Sequence, residues 1–470
     1  MRHLVFLCVG FLSSALYADT TYLGLYLQGN KIGYSSYLSA PSKLDGKVVT
    51  KNDSRTVVDA GLLGSAMSVT MDSTTWTTKS GAPLRMTFDT ESGGRSSKLE
   101  ALFNSKSVDM TIVNGGIKSK RTLPLPVGGP VVDDPLTLVA HSKLQIGNAK
   151  PFYVLDSSTA SFMKNTVQWM GRTRTSVNGK PITATLIRMA DTRSATDVYV
   201  NEKWDIVRVD GPMGVVMLPV SRRVALTKPV KYNSATDLSI STSIKPDRQI
   251  DDASDLLHLK MKIVCNSIDS IPSDSTQTAT KGPTGWILDI HPARLQDNPG
   301  LTIAKSGASK PEWLKPSLNV PCDSKQFITL AAKIIAEKNT VRDAAFAIQS
   351  YVYQNMRPNA GIGVLRDATE VLATKEGVCR DYATLTLTLL RAAGIPARLA
   401  SGLVSWDGTF YYHVWTEAWD GSRWIGVDST TDRAQISASH IKLGEGNIED
   451  AFSFNFLDKA KIEILEADKE

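Results

Sequence analysis

The chain has 470 residues, of which 42% are hydrophobic and 21% charged, and a formal net charge of +6 from 53 basic and 47 acidic side chains. That length exceeds what one hydrophobic core holds and suggests about three folding units. The charge excess is small and is gathered into no block of Lys or Arg, so no nucleic-acid partner is expected.

Arg2 and His3 form a short basic head, Leu4 to Leu12 an apolar run, and Ser13 to Ala18 a small-residue tail. This is the pattern of a secretory signal peptide over 1–18, with cleavage before Asp19. The run is too short to span a bilayer, and no other stretch approaches about twenty apolar residues, so no transmembrane segment is expected after cleavage. The mature protein is therefore expected to be secreted or periplasmic, in an oxidising space. Cys265, Cys322 and Cys379 remain there. An economical arrangement is a Cys265–Cys322 disulfide, contributing up to roughly 4 kcal/mol, with one thiol left free; two buried unpaired thiols fit equally. The cysteines are too far apart for a metal knuckle and have no histidine beside them, so neither a metal site nor a cofactor is expected.

From 19 to 226 the pattern is strand and turn, an antiparallel β domain. Tyr22 to Gln28 and Lys31 to Leu38 flank a predicted turn at Gly29-Asn30. Further hairpins are predicted around Ser80-Gly81, Asn114-Gly115 and Asn178-Gly179. A helix from Pro135 to Leu144 can be capped by Asp134. This region has His141 as its one histidine and no Gly-rich phosphate loop, which leaves a binding or spacer role. Tyr22, Tyr26, Tyr34 and Tyr37 either line a groove for a cell-envelope ligand or serve as sheet packing. Residues 227–254, with Lys245-Pro246-Asp247-Arg248, read as a linker.

In 255–323, Leu256 to Asn266 and Thr284 to Ile290 read as strands, and the proline-rich Pro292 to Asp323 as an extended covering segment. Ser324 can cap a helix to Glu337, and Thr340 one over Val341 to Asn355, with Asp343 in its first turn. Asp367 with Glu370 marks a third, short helix.

The stretch from Thr384 to Leu389 alternates like a strand, but the stop signal Gly394 with Pro396 favours a helix from Val378 to Ala393. In that helix Arg380, Thr384, Thr388 and Arg391 form one stripe, and Cys379, Tyr382, Ala383, Thr386, Leu390 and Ala393 the opposite side. Cys379 then lies in the first turn, where the dipole favours a thiolate and the free N–H groups can stabilise an oxyanion. Asp381 reads as a dipole-complementing residue. Thr409 to Trp419 reads as a strand with Tyr411, His413, Trp415, Glu417 and Trp419 on one face; a turn at Asp420-Gly421 leads to Arg423 to Val427, and Asp428 emerges beyond it, within reach of His413. A nucleophilic cysteine needs such a base, and the base an orienting acceptor. Residues 436–470 are read as a C-terminal extension with a final strand.

GVCRDYA (Gly377 to Ala383), RAAGIPAR (Arg391 to Arg398), HVWTEAW (His413 to Trp419) and WIGVDST (Trp424 to Thr430) resemble the core of the bacterial transglutaminase-like superfamily over Ser324 to Arg433. The resemblance implies an α+β, papain-like catalytic core over 324–435, a helix carrying Cys packed on an antiparallel sheet, preceded by mainly β domains. It assigns nucleophile, base and orienting acid to Cys379, His413 and Asp428. Glu417 is an alternative partner for His413, and Gln354 a candidate second oxyanion donor. The function implied is cysteine-dependent acyl transfer on amide bonds of a protein or peptide substrate through a thioester. Protease or amidase activity is favoured, since no Asp-rich calcium loop is present. Protein cross-linking, and a non-catalytic envelope-binding role, stay open.

Overall fold

The computed structural model describes residues 19–140, 145–191, 194–228, 236–265, 268, 270–293, 300–363, 365–448, 451 and 460–469. The expected signal peptide (1–18), His141 and the end of the helix expected to reach Leu144 lie outside the described residues. The chain divides into two compact units, Met1–Ser241 with Ala360–Val364, and Thr242–Asn359 with Leu365–Glu470.

The first unit is built on fourteen strands: β1 (Thr21–Leu27), β2 (Asn30–Leu44), β3 (Lys47–Leu62), β4 (Ser65–Thr77), β5 (Pro83–Ser92), β6 (Arg95–Phe103), β7 (Ser107–Asn114), β8 (Ile117–Pro124), β9 (Ala149–Asp156), β10 (Ser161–Val177), β11 (Lys180–Ala190), β12 (Ala195–Val200), β13 (Ile206–Asp210) and β14 (Val215–Pro219). They form one antiparallel sheet in the order β8 to β1, then β14 to β9, so two meanders run outward from the β1–β14 pairing. Short helices α1 (Pro135–Ala140), α2 (Arg222–Leu226) and α3 (Leu238–Ser241) accompany it. Alternating residues such as Leu23, Leu25 and Leu27 are buried, the signature of a sheet with one face on a core.

Two predicted turns move by one residue. Leu27 pairs with Asn30, so Gln28 (φ 48°) and Gly29 (φ 80°) make the turn; Asn114 pairs with Ile117, so Gly115 and Gly116 do. A two-residue turn of this kind wants positive φ at both positions and glycine at the second, and in the registers the strands adopt Gly29 and Gly116 hold that second position. Asn178-Gly179 turns where predicted.

In the second unit the elements are β15 (His258–Val264), β16 (Gln277–Gly282), β17 (Gly285–Ile290), α4 (Ile303–Ser309), α5 (Lys325–Ile335), α6 (Val341–Asn355), β18 (Arg357–Pro358), α7 (Ala368–Thr374), β19 (Glu376–Gly377), α8 (Cys379–Ala392), β20 (Ala397–Trp406), β21 (Thr409–Trp419), β22 (Trp424–Val427), β23 (Ile441–Gly446) and β24 (Lys461–Asp468). Two four-stranded sheets result, in the orders β16-β17-β15-β24 and β22-β21-β20-β23. The predicted caps form: Ser324 Oγ accepts from Phe327 N, Thr340 Oγ1 from Asp343 N, and Asp367 Oδ1 from Thr369 N and Glu370 N.

The structure departs from the sequence pattern at several places. Pro292 to Asp323 is not wholly extended: α4 and a 3₁₀ turn at Pro311–Leu314 form, because Pro311 sits at a helix start, where its missing N–H costs nothing. The polar composition of 227–254 hides buried anchors; Leu238 belongs to α3, and Ile244 exchanges both backbone hydrogen bonds with Phe410. Residues 436–470 supply β23 to one sheet and β24 to the other. No disulfide joins Cys265 and Cys322: both are buried free thiols. Cys322 instead donates to Leu314 O at 3.4 Å, and burial pushes its thiol pKa up.

Candidate active site

The site begins with α8, most of which is buried, Asp381 to Arg391 without a break. The stripe of Thr384, Thr388 and Arg391 is therefore not a solvated face. Each threonine hydroxyl is satisfied within the helix: Thr384 Oγ1 donates to Arg380 O, Thr386 Oγ1 to Tyr382 O and Thr388 Oγ1 to Thr384 O, all at 2.8 Å. Arg391 spends its guanidinium on Ala397 O, Lys315 O and Asn447 Oδ1. The alternation that imitates a strand is thus a helix whose small polar residues can be buried all round.

The start of α8 is fixed by three neighbours of Cys379. Asp381 Oδ2 accepts from Val378 N at 2.9 Å, closing the first turn, while its Oδ1 lies 3.2 Å from Arg366 Nε. Both side chains of that ion pair are 1% exposed, so the carboxylate is a buried structural anchor as well as a dipole complement. Gly377 has no room for a side chain: a Cβ there would lie 2.5 Å from Asp381 Cβ and 2.7 Å from Arg366 Nη2. The parallel β18–β19 pairing holds the chain just ahead of Val378. Cys379 itself is partly exposed and is a free thiol.

The base comes from β21 and the acid from the end of β22. The register Thr416↔Val427 and Glu417↔Gly426 brings Asp428 alongside the strand that carries His413. His413 Nε2 lies 2.8 Å from Asp428 Oδ2, and the Cys379 side chain acts on the same imidazole. The structure thus joins two of the three residues expected from the sequence by a direct contact, His413 and Asp428, with Cys379 near enough to influence the ring. Burial works against the imidazolium, but the Asp428 carboxylate and then the Cys379 sulfur outweigh it and hold the His413 pKa up to about 10. Burial likewise opposes the Asp428 carboxylate, and His413 first, then His440, keep its pKa well below the usual carboxylate range.

Asp428 has all four acceptor positions filled. Oδ2 takes N–H donors from His413 and, at 3.2 Å, from His440 Nε2; Oδ1 takes Thr430 N at 2.9 Å and Thr430 Oγ1 at 2.7 Å. Its backbone carbonyl accepts from Gln349 Nε2 at 3.3 Å. His440 is the site residue that sequence reasoning missed. Its Nδ1 is buried with no hydrogen-bond partner among the described residues, and its ring meets Trp415 edge-on at 5.3 Å. The signal available was thin: a lone histidine twelve residues after the acid, just ahead of a strand.

Two expected alternatives are settled by geometry. Glu417 does not approach His413; it pairs with Arg398 Nε at 2.7 Å and Lys442 Nζ at 2.9 Å. Asp274 and Glu445 extend this buried network. Gln354 is exposed on α6, and the buried glutamine of that helix is Gln349.

Residues 328–429 match the Transglutaminase-like superfamily. An uncharacterized protein of Mycobacterium leprae is 31% identical over 144 residues, 29% of this chain and 50% of its own length. Uncharacterized proteins of Mycobacterium bovis and Mycobacterium tuberculosis are 31% identical over 121 residues, 23% of this chain and 37% of theirs. The chain thus spans half or less of the curated relatives it matches. Among solved structures, a candidate cysteine protease from Cytophaga hutchinsonii aligns at 19% identity over 44% of this chain and 82% of its own, with a TM-score of 0.31. A candidate protease from Parabacteroides distasonis aligns at 12% identity over 73% and 69%, with a TM-score of 0.20.

Proposed function

We propose that this chain, whose residues 328–429 belong to the transglutaminase-like superfamily, is an exported cysteine-dependent enzyme that cleaves amide bonds of proteins or peptides through a thioester. The observation that supports this most is one imidazole, His413, held between a thiol at a helix start and a carboxylate with every lone pair occupied. An imidazole held up to about 10 is protonated near neutral pH and stabilises a thiolate partner.

In the proposed reaction the Cys379 sulfur attacks the amide carbon, forming a C–S bond as the carbonyl electrons move onto oxygen. Backbone N–H groups in the first turn of α8 can donate to that oxyanion. Collapse breaks the C–N bond, and His413 gives its proton to the leaving amine. Water then attacks the thioester, His413 takes the water proton, and the C–S bond breaks to return the thiolate. Asp428 keeps the imidazole in the required orientation throughout.

If an amine replaced water in the second step, the product would be a cross-link. The test is release of free amine from a peptide library by the purified protein, run alongside incorporation of a labelled primary amine, with Cys379→Ala as the control. Cys379-dependent hydrolysis without amine incorporation is expected. Cys379-dependent incorporation would overturn the hydrolase reading, and no dependence on Cys379 would leave a non-catalytic binding role. Export rests on the basic-apolar-small pattern of 1–18; recovery of the protein from the cytoplasm with that segment intact would remove this part of the proposal.

A further inference from the structure

All four histidines among the described residues occur in pairs, and each pair meets on one carboxylate oxygen. His413 and His440 meet on Asp428 Oδ2 beside the thiol. His258 Nε2 and His291 Nε2 meet on Asp289 Oδ1, at 3.0 and 2.9 Å. No step of the proposed reaction uses the second pair.

Its geometry follows from strand register. Asp289 and His291 are two residues apart around the buried Ile290, so they share the opposite, open face. Leu259 pairs with Ile290, which sets His258 across from His291; His258 also pairs with Asp468 on β24. Three neighbouring strands thus present their side chains in one row. The two imidazoles lie parallel, 6° apart in plane with centroids at 4.3 Å. One donor atom each from His258, Asp289 and His291 falls within 4.8 Å of the others. Two like-charged rings would repel at that spacing, whereas a cation accepting one nitrogen from each would hold both.

The other nitrogen of His258 is held as well. Its Nδ1 lies 2.8 Å from Asp468 Oδ2. A carboxylate on the far nitrogen of a ligating histidine is the usual device for fixing its tautomer and aiming the near one. Here it aims Nε2 at the point where His291 and Asp289 converge. Solvent reaches the site through His291, whose side chain is 62% exposed.

The geometry points to a binding site for one divalent first-row transition cation of the zinc class, with His258 Nε2, His291 Nε2 and Asp289 Oδ1 as ligands and Asp468 as the orienting carboxylate. Two imidazole nitrogens with one carboxylate suit such a cation better than magnesium or calcium, which prefer all-oxygen sites. Water completes the tetrahedron. The cation's effect on the fold is to tie β15 to β17 in the sheet that β24 completes.

The test uses the full chain with Cys379→Ser, so that the active-site thiol cannot hold the probe. Titration with Zn²⁺ followed by calorimetry is expected to give one saturable site. His291→Ala, at an exposed position, is expected to weaken it at least tenfold, and Asp468→Asn by roughly 10–100-fold. Zn²⁺ is also expected to raise the unfolding temperature of the parent and not of His291→Ala. Absence of a stoichiometric site, or a site indifferent to His291→Ala, would overturn the assignment.

Discussion

At the scale of residues, His413 is poised by the charges beside its ring. His413 gains its partner charges from Asp428 and Cys379, and burial alone would push it the other way. Its folded pKa of about 10 lies above the ordinary 6.5. The sign follows: the pair contributes its full stability below about 6.5 and loses it as pH rises through about 10. The same limb is expected in kcat/KM, because His413 must be protonated to hold the thiolate and to supply the leaving amine. In Asp428→Asn the carboxylate is gone, so the alkaline limb moves to lower pH and turnover falls by roughly 10²–10⁴-fold. A pH profile that keeps its alkaline limb in that variant contradicts the role given to Asp428.

At the scale of elements, the site depends on how α8 and the β22-β21-β20-β23 sheet are held. α8 is anchored at its start by Asp381 and Arg366, and in its middle by Thr386 Oγ1 against Ser429 Oγ at 2.7 Å, next to Asp428. The sheet is held by the network in which Glu417 joins Arg398 of β20 to Lys442 of β23. These side chains are 3 to 7% exposed, and Glu417→Ala takes from Arg398 and Lys442 the most buried of their carboxylates, leaving them Asp274 and Glu445. A loss of about 1–3 kcal/mol is expected, read as a lower denaturant midpoint. His413 should keep its alkaline limb in the fraction that remains folded, since Glu417 does not touch it. A stability change under about 1 kcal/mol contradicts the anchoring role. The order of Cys, His and Asp was legible in the sequence because each stands in a short motif on a rigid element. Gly394 and Pro396 likewise disclosed the end of α8. What was illegible depended on tertiary neighbours: His440 stands in no motif and is defined by its contact with Asp428; β23 carries Lys442, whose charge conceals a buried strand; and the turn at Gln28-Gly29 lies one residue from the expected dipeptide because the register, not the dipeptide, chose it.

At the scale of the whole molecule, each unit reads differently from its sequence. The first is one antiparallel sheet of fourteen strands, and its regular alternation made the class plain while its strand order needed the pairings. The second is assembled from chain ends far apart in sequence, since β24 pairs with β15 and β23 with β20. This explains why an extension read at 436–470 is integral to both sheets. The chemistry proposed for the protein resides in this second unit, and its central claim is that Cys379 is a nucleophile activated by His413. The direct measurement is the rate of iodoacetamide alkylation of Cys379 in the full chain between pH 5 and 9, compared with His413→Ala and with the buried thiols Cys265 and Cys322. The account predicts fast modification at Cys379 near neutral pH and below, slowed in His413→Ala to the pH dependence of an ordinary thiol. Alkylation of the wild-type Cys379 no faster than an ordinary thiol, or unchanged by His413→Ala, would contradict it.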